Sequence, residues 1–171
     1  MTNYEQQLIR DYLSGKNSRS DFLIKYPIDL TNPSNYIIDI LLNALKSEDS
    51  AEVDYGMSLI PFDKDFKNPD KYVDILCQLL SKSWHTRHED IVALLQGIKA
   101  PQSVDALYKA ALAKFDYLNY DDTHSLARKS IHALADINTE DSLVKLKLLA
   151  NSNIEIIKEK AKKQLSVIDN I

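Results

Sequence analysis

The segment Leu126–Ile137, which reads LARKSIHALADI, decides the fold of this chain. Its inward-facing positions recur three and four residues apart, at Ala127, Ser130, Ile131 and Leu134, which is the spacing of an amphipathic α-helix. The whole chain contains only three glycines, and alternating apolar and polar residues are absent. Because strands joined by tight turns normally need both, the sequence predicts an all-α protein.

The ending of this segment recurs along the chain. Leu134–Ile137 is matched by Leu95–Ile98, 39 residues earlier, and by Leu165–Ile168, 31 residues later. Repeats of about 30–45 residues that each hold a helix pair are typical of α-solenoids, in which neighbouring repeats bury each other's apolar faces. We therefore expect the leucine of each ending to be buried between helices.

The apolar periods divide the chain into pairs of helices. Two N-terminal helices are predicted at 3–14 and 18–26, and the pairs that follow are 33–46 with 50–60, 69–82 with 86–98, 101–115 with 121–137, and 140–150 with 153–168. A chain of 171 residues is ordinarily one domain. We predict a single domain over 1–171, a short right-handed α-α superhelix of about ten helices, with 1–31 as capping helices and 32–168 as the stacked pairs.

Two similar dipeptides support this division. Asn32-Pro33 and Asn68-Pro69 each precede a run of helically spaced apolar residues. Asparagine supplies a capping oxygen and proline is suited to the first helical position, so each dipeptide predicts the start of a helix.

The segment Leu126–Ile137, followed by a capped helix from Thr139, resembles a HEAT repeat of the short, bacterial, phycobilisome-lyase-like type. In that pattern an alanine-rich second helix ends in Leu-x-x-Ile and a short turn follows. The resemblance extends from about Pro69 to Ile168 and is loose before it. It implies a HEAT-like solenoid and a role in binding other proteins, since such repeats mostly do so.

Composition and charge narrow the functional classes. No run of about 18 apolar residues occurs and the N-terminus lacks the pattern of a signal peptide, so we expect no membrane partner and a cytoplasmic location. The lone Cys77 excludes an internal disulfide. Residues 47–124 carry 8 Lys/Arg and 14 Asp/Glu. This acidic excess disfavours nucleic acid and suits a basic partner, or is simply a solvated surface.

The turn Trp84–Asp90, reading WHTRHED, contains more aromatic, histidine and acidic residues than a turn requires. It holds the only tryptophan, two of the four histidines and two acids. Equivalent turns stack along one edge of a solenoid, so this turn should lie beside the one that follows Phe115. We predict that a protein-binding edge is formed there by aromatic, acidic and histidine side chains: Trp84, His85, His88, Glu89, Asp90, Asp116, Tyr117, Tyr120, Asp121, Asp122 and His124.

Structural roles for the same residues stay open. Thr86-x-x-Glu89 has the form of a capping box, in which the hydroxyl and the carboxylate each take one backbone N–H. The acids of this edge also fall near helix N-termini, where the helix dipole favours anions. Trp84 could equally fill the end of the core.

A metal site is disfavoured. His85-x-x-His88 places two imidazoles on one helix face only if both residues are helical, and His85 falls in the turn. The iron-binding HEAT-repeat family, deoxyhypusine hydroxylase, uses several His-Glu pairs, whereas this chain has one, His88-Glu89. No nucleophile elbow, phosphate loop or pair of catalytic acids stands out. We predict no metal, no cofactor and no enzymatic activity.

The predicted function is a non-enzymatic module that binds another protein. Small, acidic, all-helical chains of this kind resemble the antidotes encoded beside polymorphic toxins, which implies an immunity protein that neutralises a basic toxin domain. The alternatives are a HEAT-like lyase, which needs a chromophore pocket, and a HEAT-like DNA-repair protein, which needs a basic concave face. The sequence leaves the oligomeric state open.

Overall fold

The computed structural model describes residues 1–33, 35–64, 70–118, 121 and 123–168, and these residues form ten α-helices and no β-strand. The chain divides into two compact units, Met1–Pro69 and Asp70–Ile171. The all-α prediction and the number of helices are confirmed. The single domain and the superhelical path stay predictions. Within the described part of the chain, no helix has both the length and the apolar character needed to cross a bilayer.

The first unit is built from four helices: α1 Asn3–Leu13, α2 Arg19–Lys25, α3 Tyr36–Ser47 and α4 Ser50–Leu59. Its core contains a cluster of aromatic rings around the fully buried Phe22. The Phe22 ring centroid lies 4.8 Å from Tyr12, 5.2 Å from Tyr26 and 5.1 Å from Phe62. Aromatic pairs at these separations stabilise a small core beyond the area that they bury.

The helix start predicted at Asn32-Pro33 is wrong. α3 begins at Tyr36, and its N-cap residue Asn35 makes no side-chain capping bond. The Tyr36 N–H donates to the Pro33 carbonyl at 2.8 Å. Pro33 therefore belongs to a turn that precedes α3 and is not the first residue of the helix. The second predicted start, Asn68-Pro69, lies outside the described residues.

α3 and α4 approach each other closely at Gly56. A Cβ atom at this position would lie 2.5 Å from Leu41 Cδ2 and 3.0 Å from Leu41 Cγ. Leu41 is fully buried and therefore has little room to move. The absence of a side chain at Gly56 thus sets the distance between the two helices.

The second unit contains the remaining six helices: α5 Asp70–Leu80, α6 His88–Ile98, α7 Val104–Leu112, α8 Ser125–Ile137, α9 Glu140–Leu149 and α10 Glu155–Ile168. They pack as the predicted pairs α5 with α6, α7 with α8, and α9 with α10. Each helix also contacts its equivalent in the next pair, so that α5, α7 and α9 form one row and α6, α8 and α10 form another.

The three leucines of the recurring ending differ in how deeply they are buried. Leu95 and Leu134 are fully buried, as predicted. Leu165 is only half-buried, and the prediction for it is wrong. The inner face of α10 is covered at Ile157 and Ala161, but its neighbours cover it only partly one turn further on.

Leu134→Ala should destabilise the protein by roughly 2–5 kcal/mol, because it leaves a cavity in a fully buried site between packed helices. Urea unfolding measures the loss. The control is Leu112→Ala, at a leucine that is 40% exposed, which should cost below about 1 kcal/mol. Equal losses in the two variants would show that the buried stripe is misassigned.

Gly56→Ala should lower stability by about 1–2 kcal/mol. The gain in helix propensity is about 1 kcal/mol, whereas the contact with the buried Leu41 side chain overpacks the α3–α4 interface by more than that. If the clash is the cause, Gly56→Ala should cost less in a Leu41→Ala background than in the parent, and a double-mutant cycle of unfolding free energies measures the difference. A Gly56→Ala protein that melts higher than the parent would contradict the close approach.

Candidate protein-binding edge

The turn after α5 and the turn after α7 lie side by side, as predicted, and stacked rings join them. His88 stacks on Phe115 with 3.7 Å between ring centroids and on His85 with 4.3 Å, and Tyr117 lies 5.6 Å away. Trp84 meets His85 edge-on at 5.1 Å. His85 is 1% and His88 0% exposed. Both imidazoles therefore support the edge from inside and do not face a partner.

Hydrogen bonds determine which ring nitrogen of His85 and of His88 carries the proton. The Arg87 backbone N–H donates to His85 Nδ1 at 3.1 Å, so His85 Nε2 carries the proton and donates to the Leu79 carbonyl at 2.9 Å. The carbonyls of Leu79 and Lys82 belong to the C-terminal end of α5 and the residues just after it, where intrahelical donors run out. The histidines of the following turn therefore close the end of α5.

His88 spans from α5 to the next turn. Its Nε2 lies 2.6 Å from the Lys82 carbonyl, and its Nδ1 lies 2.9 Å from the Tyr117 hydroxyl. A carbonyl only accepts, so Nε2 holds the proton and Nδ1 accepts from the tyrosine. Burial lowers the pKa of His88 from 6.5 to about 4, the Lys82 carbonyl opposes the shift, and His85 adds to it. His88 is thus neutral at pH 7.

The predicted capping box is wrong. α6 begins at His88 and its N-cap is Arg87, so Thr86 and Glu89 do not occupy the required positions. Glu89 reaches across to α8, where Oε1 accepts from the Ser125 hydroxyl at 2.5 Å and Oε2 pairs with Lys129 Nζ at 2.6 Å. Partial burial raises the pKa of Glu89. The hydrogen bonds from Lys129 and Ser125 together outweigh this effect, so the net shift of the pKa is downward.

Asp121 binds the first backbone N–H of α8, although the N-cap residue of this helix is His124. One oxygen accepts from the backbone N–H and hydroxyl of Thr123, and the other accepts from the backbone N–H of Ser125 at 2.7 Å and lies 2.8 Å from its hydroxyl. The bonds from Thr123 and Ser125 lower the pKa of this carboxyl. His124, exposed and left-handed at φ 50°, carries the chain into the helix.

The remaining predicted residues divide by exposure. Asp90 is exposed and pairs with Arg87 at 2.9 Å. Asp116 is exposed, and Trp84 and Tyr117 are each half-buried, as the binding hypothesis requires. Tyr120 and Asp122 lie outside the described residues. Among the described residues of the predicted edge, Asp90, Asp116 and His124 are exposed, and those with intermediate exposure are Trp84, Glu89, Tyr117 and Asp121.

The negative charge is not concentrated in the unit that holds the edge. Residues 1–69 contain 7 Lys/Arg and 11 Asp/Glu, a net charge of −4, whereas residues 70–171 contain 14 of each. Around the edge, Lys129 and Arg87 neutralise two of the acids. Acidic character there is local, and Asp90 and Asp116 are its exposed described members.

Phe115 connects the edge to two cavities. A groove of about 520 Å³ lies between α5 and α7, with an apolar floor that includes Leu80, Ala106, Ala110 and Phe115. A cavity of about 250 Å³ on the other side is lined by Phe115, Leu126, Ile157 and neighbouring residues. The sequence predicts Phe115 at the end of the helix 101–115, before the turn, but its place between two cavities depends on how α5, α7 and α8 pack.

Cys77 lines the groove beside Gln78 and Ser81. Burial raises the pKa of its thiol to about 11, and Asp74 adds to the shift. Since the thiolate is the reactive form, this cysteine is a poor nucleophile at neutral pH. Among the described residues, no three His, Cys, Asp or Glu side chains come close enough to hold a metal ion.

Two contributors to the edge escaped prediction from the sequence. Ser125 and Lys129 hold Glu89, yet they lie 36 and 40 residues further along the chain. A serine and a lysine on a helix carry no local pattern that indicates such a partner. The groove residues Gln78 and Ala106 were missed for the same reason, because only the packing of α5 on α7 brings them together.

Stability should fall as the pH drops from 6.5 toward 4. In this interval the unfolded chain takes up a proton at His88 that the folded protein excludes, so the contribution is complete above pH 6.5 and is lost near pH 4. The loss should reach about 3 kcal/mol. Urea unfolding followed by the fluorescence of Trp84, the only tryptophan, reports it.

The control is His88→Gln, whose amide can still donate to the Lys82 carbonyl but does not titrate. This variant should start less stable and lose most of the slope between pH 6.5 and 4. A slope equal to that of the parent would assign the pH dependence to other groups.

No protein-family model, curated protein or solved structure matches this chain.

Proposed function

We propose that this chain is a protein-binding module without enzymatic activity of its own, built as a short HEAT-like solenoid. The packing of α5–α10 as pairs in two rows supports the solenoid, since stacked helix pairs generate such architectures. The partner lies across the turn edge and enters the groove between α5 and α7. Its most specific form is an immunity protein that binds and neutralises a basic bacterial toxin domain in the cytoplasm.

The observation that carries the proposal is the continuity between edge and groove at Phe115. This ring stacks on His88 on one side and forms part of the groove floor on the other. An apolar groove with polar residues such as Gln78, Gln102 and Lys109 along its rim is a common setting for a side chain or short segment of a partner.

Hydrogen bonds between the segments of the edge support the same proposal. Both ring nitrogens of His88 are hydrogen-bonded, and Glu89 ties α6 to α8. A surface that is already ordered loses less conformational entropy when it binds, so more of the contact energy remains as affinity. Half-buried Trp84 and Tyr117 offer aromatic area on this ordered frame.

The identity of the partner as a basic protein rests on charge. The chain carries a net charge of −4. Opposite charge on a partner raises the association rate constant, and this effect becomes smaller as the ionic strength increases. Because the surplus belongs to residues 1–69, this steering comes mainly from the first unit, while the edge of the second unit supplies the contacts.

A variant that fills the groove tests the proposal. Ala106→Phe should reduce capture of the partner from the source cells by at least about tenfold, because the ring occupies the space that the partner enters. The matched control is Ala93→Phe, at an exposed alanine on α6 away from the groove. Affinity capture by tagged full-length protein, quantified by mass spectrometry, compares the variants after thermal melting has shown both to be folded.

If the chain is an immunity protein, the captured partner should be toxic. The captured protein should stop growth when it is expressed alone and should become harmless when the chain is expressed with it. A partner that Ala106→Phe and the parent capture equally would exclude the groove. A captured protein that is harmless alone would exclude neutralisation while leaving a binding role.

A further inference from the structure

We propose that α9 is a dimerisation surface, and that two copies of this chain pair through it in antiparallel fashion around Val144. The helix has one face turned inward, where Ser142, Leu146 and Leu149 are buried against its neighbours in the second unit. Its other face carries exposed residues at helical spacing: Glu140, Asp141, Val144, Lys147 and Leu148. These positions lie within one stripe of the helix, with Val144 at its centre.

The middle of the stripe is apolar. Val144 is 49% and Leu148 51% exposed, and they lie one turn apart on the same face. Two large apolar side chains in adjoining positions are unusual on a surface helix that has no partner for them. This pair alone does not specify what covers it. The charges on either side of it do.

Two charges of the stripe, those of Glu140 and Lys147, complement the same pair on a second copy. Glu140 lies four residues before Val144 and Lys147 lies three residues after it, on the same flank of the helix. In an antiparallel pair about Val144, Glu140 of one copy is therefore level with Lys147 of the second copy to within about one helical rise, roughly 1.5 Å. Twofold symmetry forms this ion pair twice. No described residue of the same chain forms a salt bridge with either side chain.

The shape is complementary as well. A shallow groove of about 490 Å³ lies at the start of α9, lined by Pro101, Thr139, Glu140, Asp141 and Val144. The antiparallel pairing brings Leu148 of the second copy level with Asp141, and so to the mouth of this groove. The same helix thus presents a protruding leucine at one end and a depression at the other. A self-complementary patch of this kind is what an isologous dimer requires.

The small area of the α9 interface limits the affinity of the dimer. One ten-residue helix per copy buries less than the roughly 1,200–2,000 Å² of a standard interface, so we expect a dissociation constant on the order of 100 µM. The full chain should sediment as a monomer at about 10 µM and mostly as a dimer at about 1 mM. Analytical ultracentrifugation over this range measures the equilibrium.

Matched substitutions test the face. Val144→Asp should weaken dimerisation by at least about tenfold, because it places two carboxylates together at the twofold axis. Val167→Asp is the control, since this valine on α10 is also 49% exposed and lies outside the stripe. It should leave the equilibrium unchanged. Circular dichroism melting establishes that both variants are folded.

A charge exchange tests the orientation. Glu140→Lys alone and Lys147→Glu alone should each weaken the dimer several-fold at low salt, and the double variant should restore it, because each copy then offers the reversed pair. A parent chain that stays monomeric at about 1 mM overturns the proposal and leaves the face to a different protein. A dimer that survives Val144→Asp, or a double variant without restoration, overturns it too.

Discussion

The second unit depends on a buried imidazole that is satisfied at both nitrogens. His88 holds the carbonyl of Lys82 with one nitrogen and the hydroxyl of Tyr117 with the other, and its ring lies flat against Phe115. A single neutral side chain thus connects the end of α5, the start of α6 and the turn after α7. Because the ring is buried, a proton added to it would place a charge away from water, and the Tyr117 hydroxyl would have to change from donor to acceptor. Burial of the ring therefore favours the neutral form.

The bonds of His88 therefore join three segments of the described part of the edge. The aromatic and acidic residues that decorate the turn serve two purposes at different depths. The inner residues His85 and His88 complete helix ends and fill space, while Trp84 and Tyr117 at half depth present part of their rings. The indole N–H of Trp84 is buried and has no hydrogen-bond partner among the described residues.

Much of the fold could be predicted because helical spacing is local. Ala127, Ile131 and Leu134 report their common face within a dozen residues, and the pairs of helices follow from the lengths of the stripes. The edge could be predicted only in outline. Stacking of equivalent turns placed Trp84 near Tyr117, whereas the partner of Glu89 depends on the rotation of α8 about its own axis, which no short pattern encodes. Thr86-x-x-Glu89 and Asn32-Pro33 failed for a related reason, since a capping pattern states what a helix end can use and not where the helix ends.

Ser125 has a consequence for how this sequence can change. Its hydroxyl lies between Glu89 and Asp121 but has only one proton to donate, so it serves two anions with a single hydrogen. Alanine at this position would leave the two carboxylates facing each other without a mediator, and a neutral residue at position 89 would remove the conflict from the other side. In the descendants of this sequence, positions 89 and 125 should therefore be inherited as a unit, and a glutamine at the first should accompany the loss of the hydroxyl at the second.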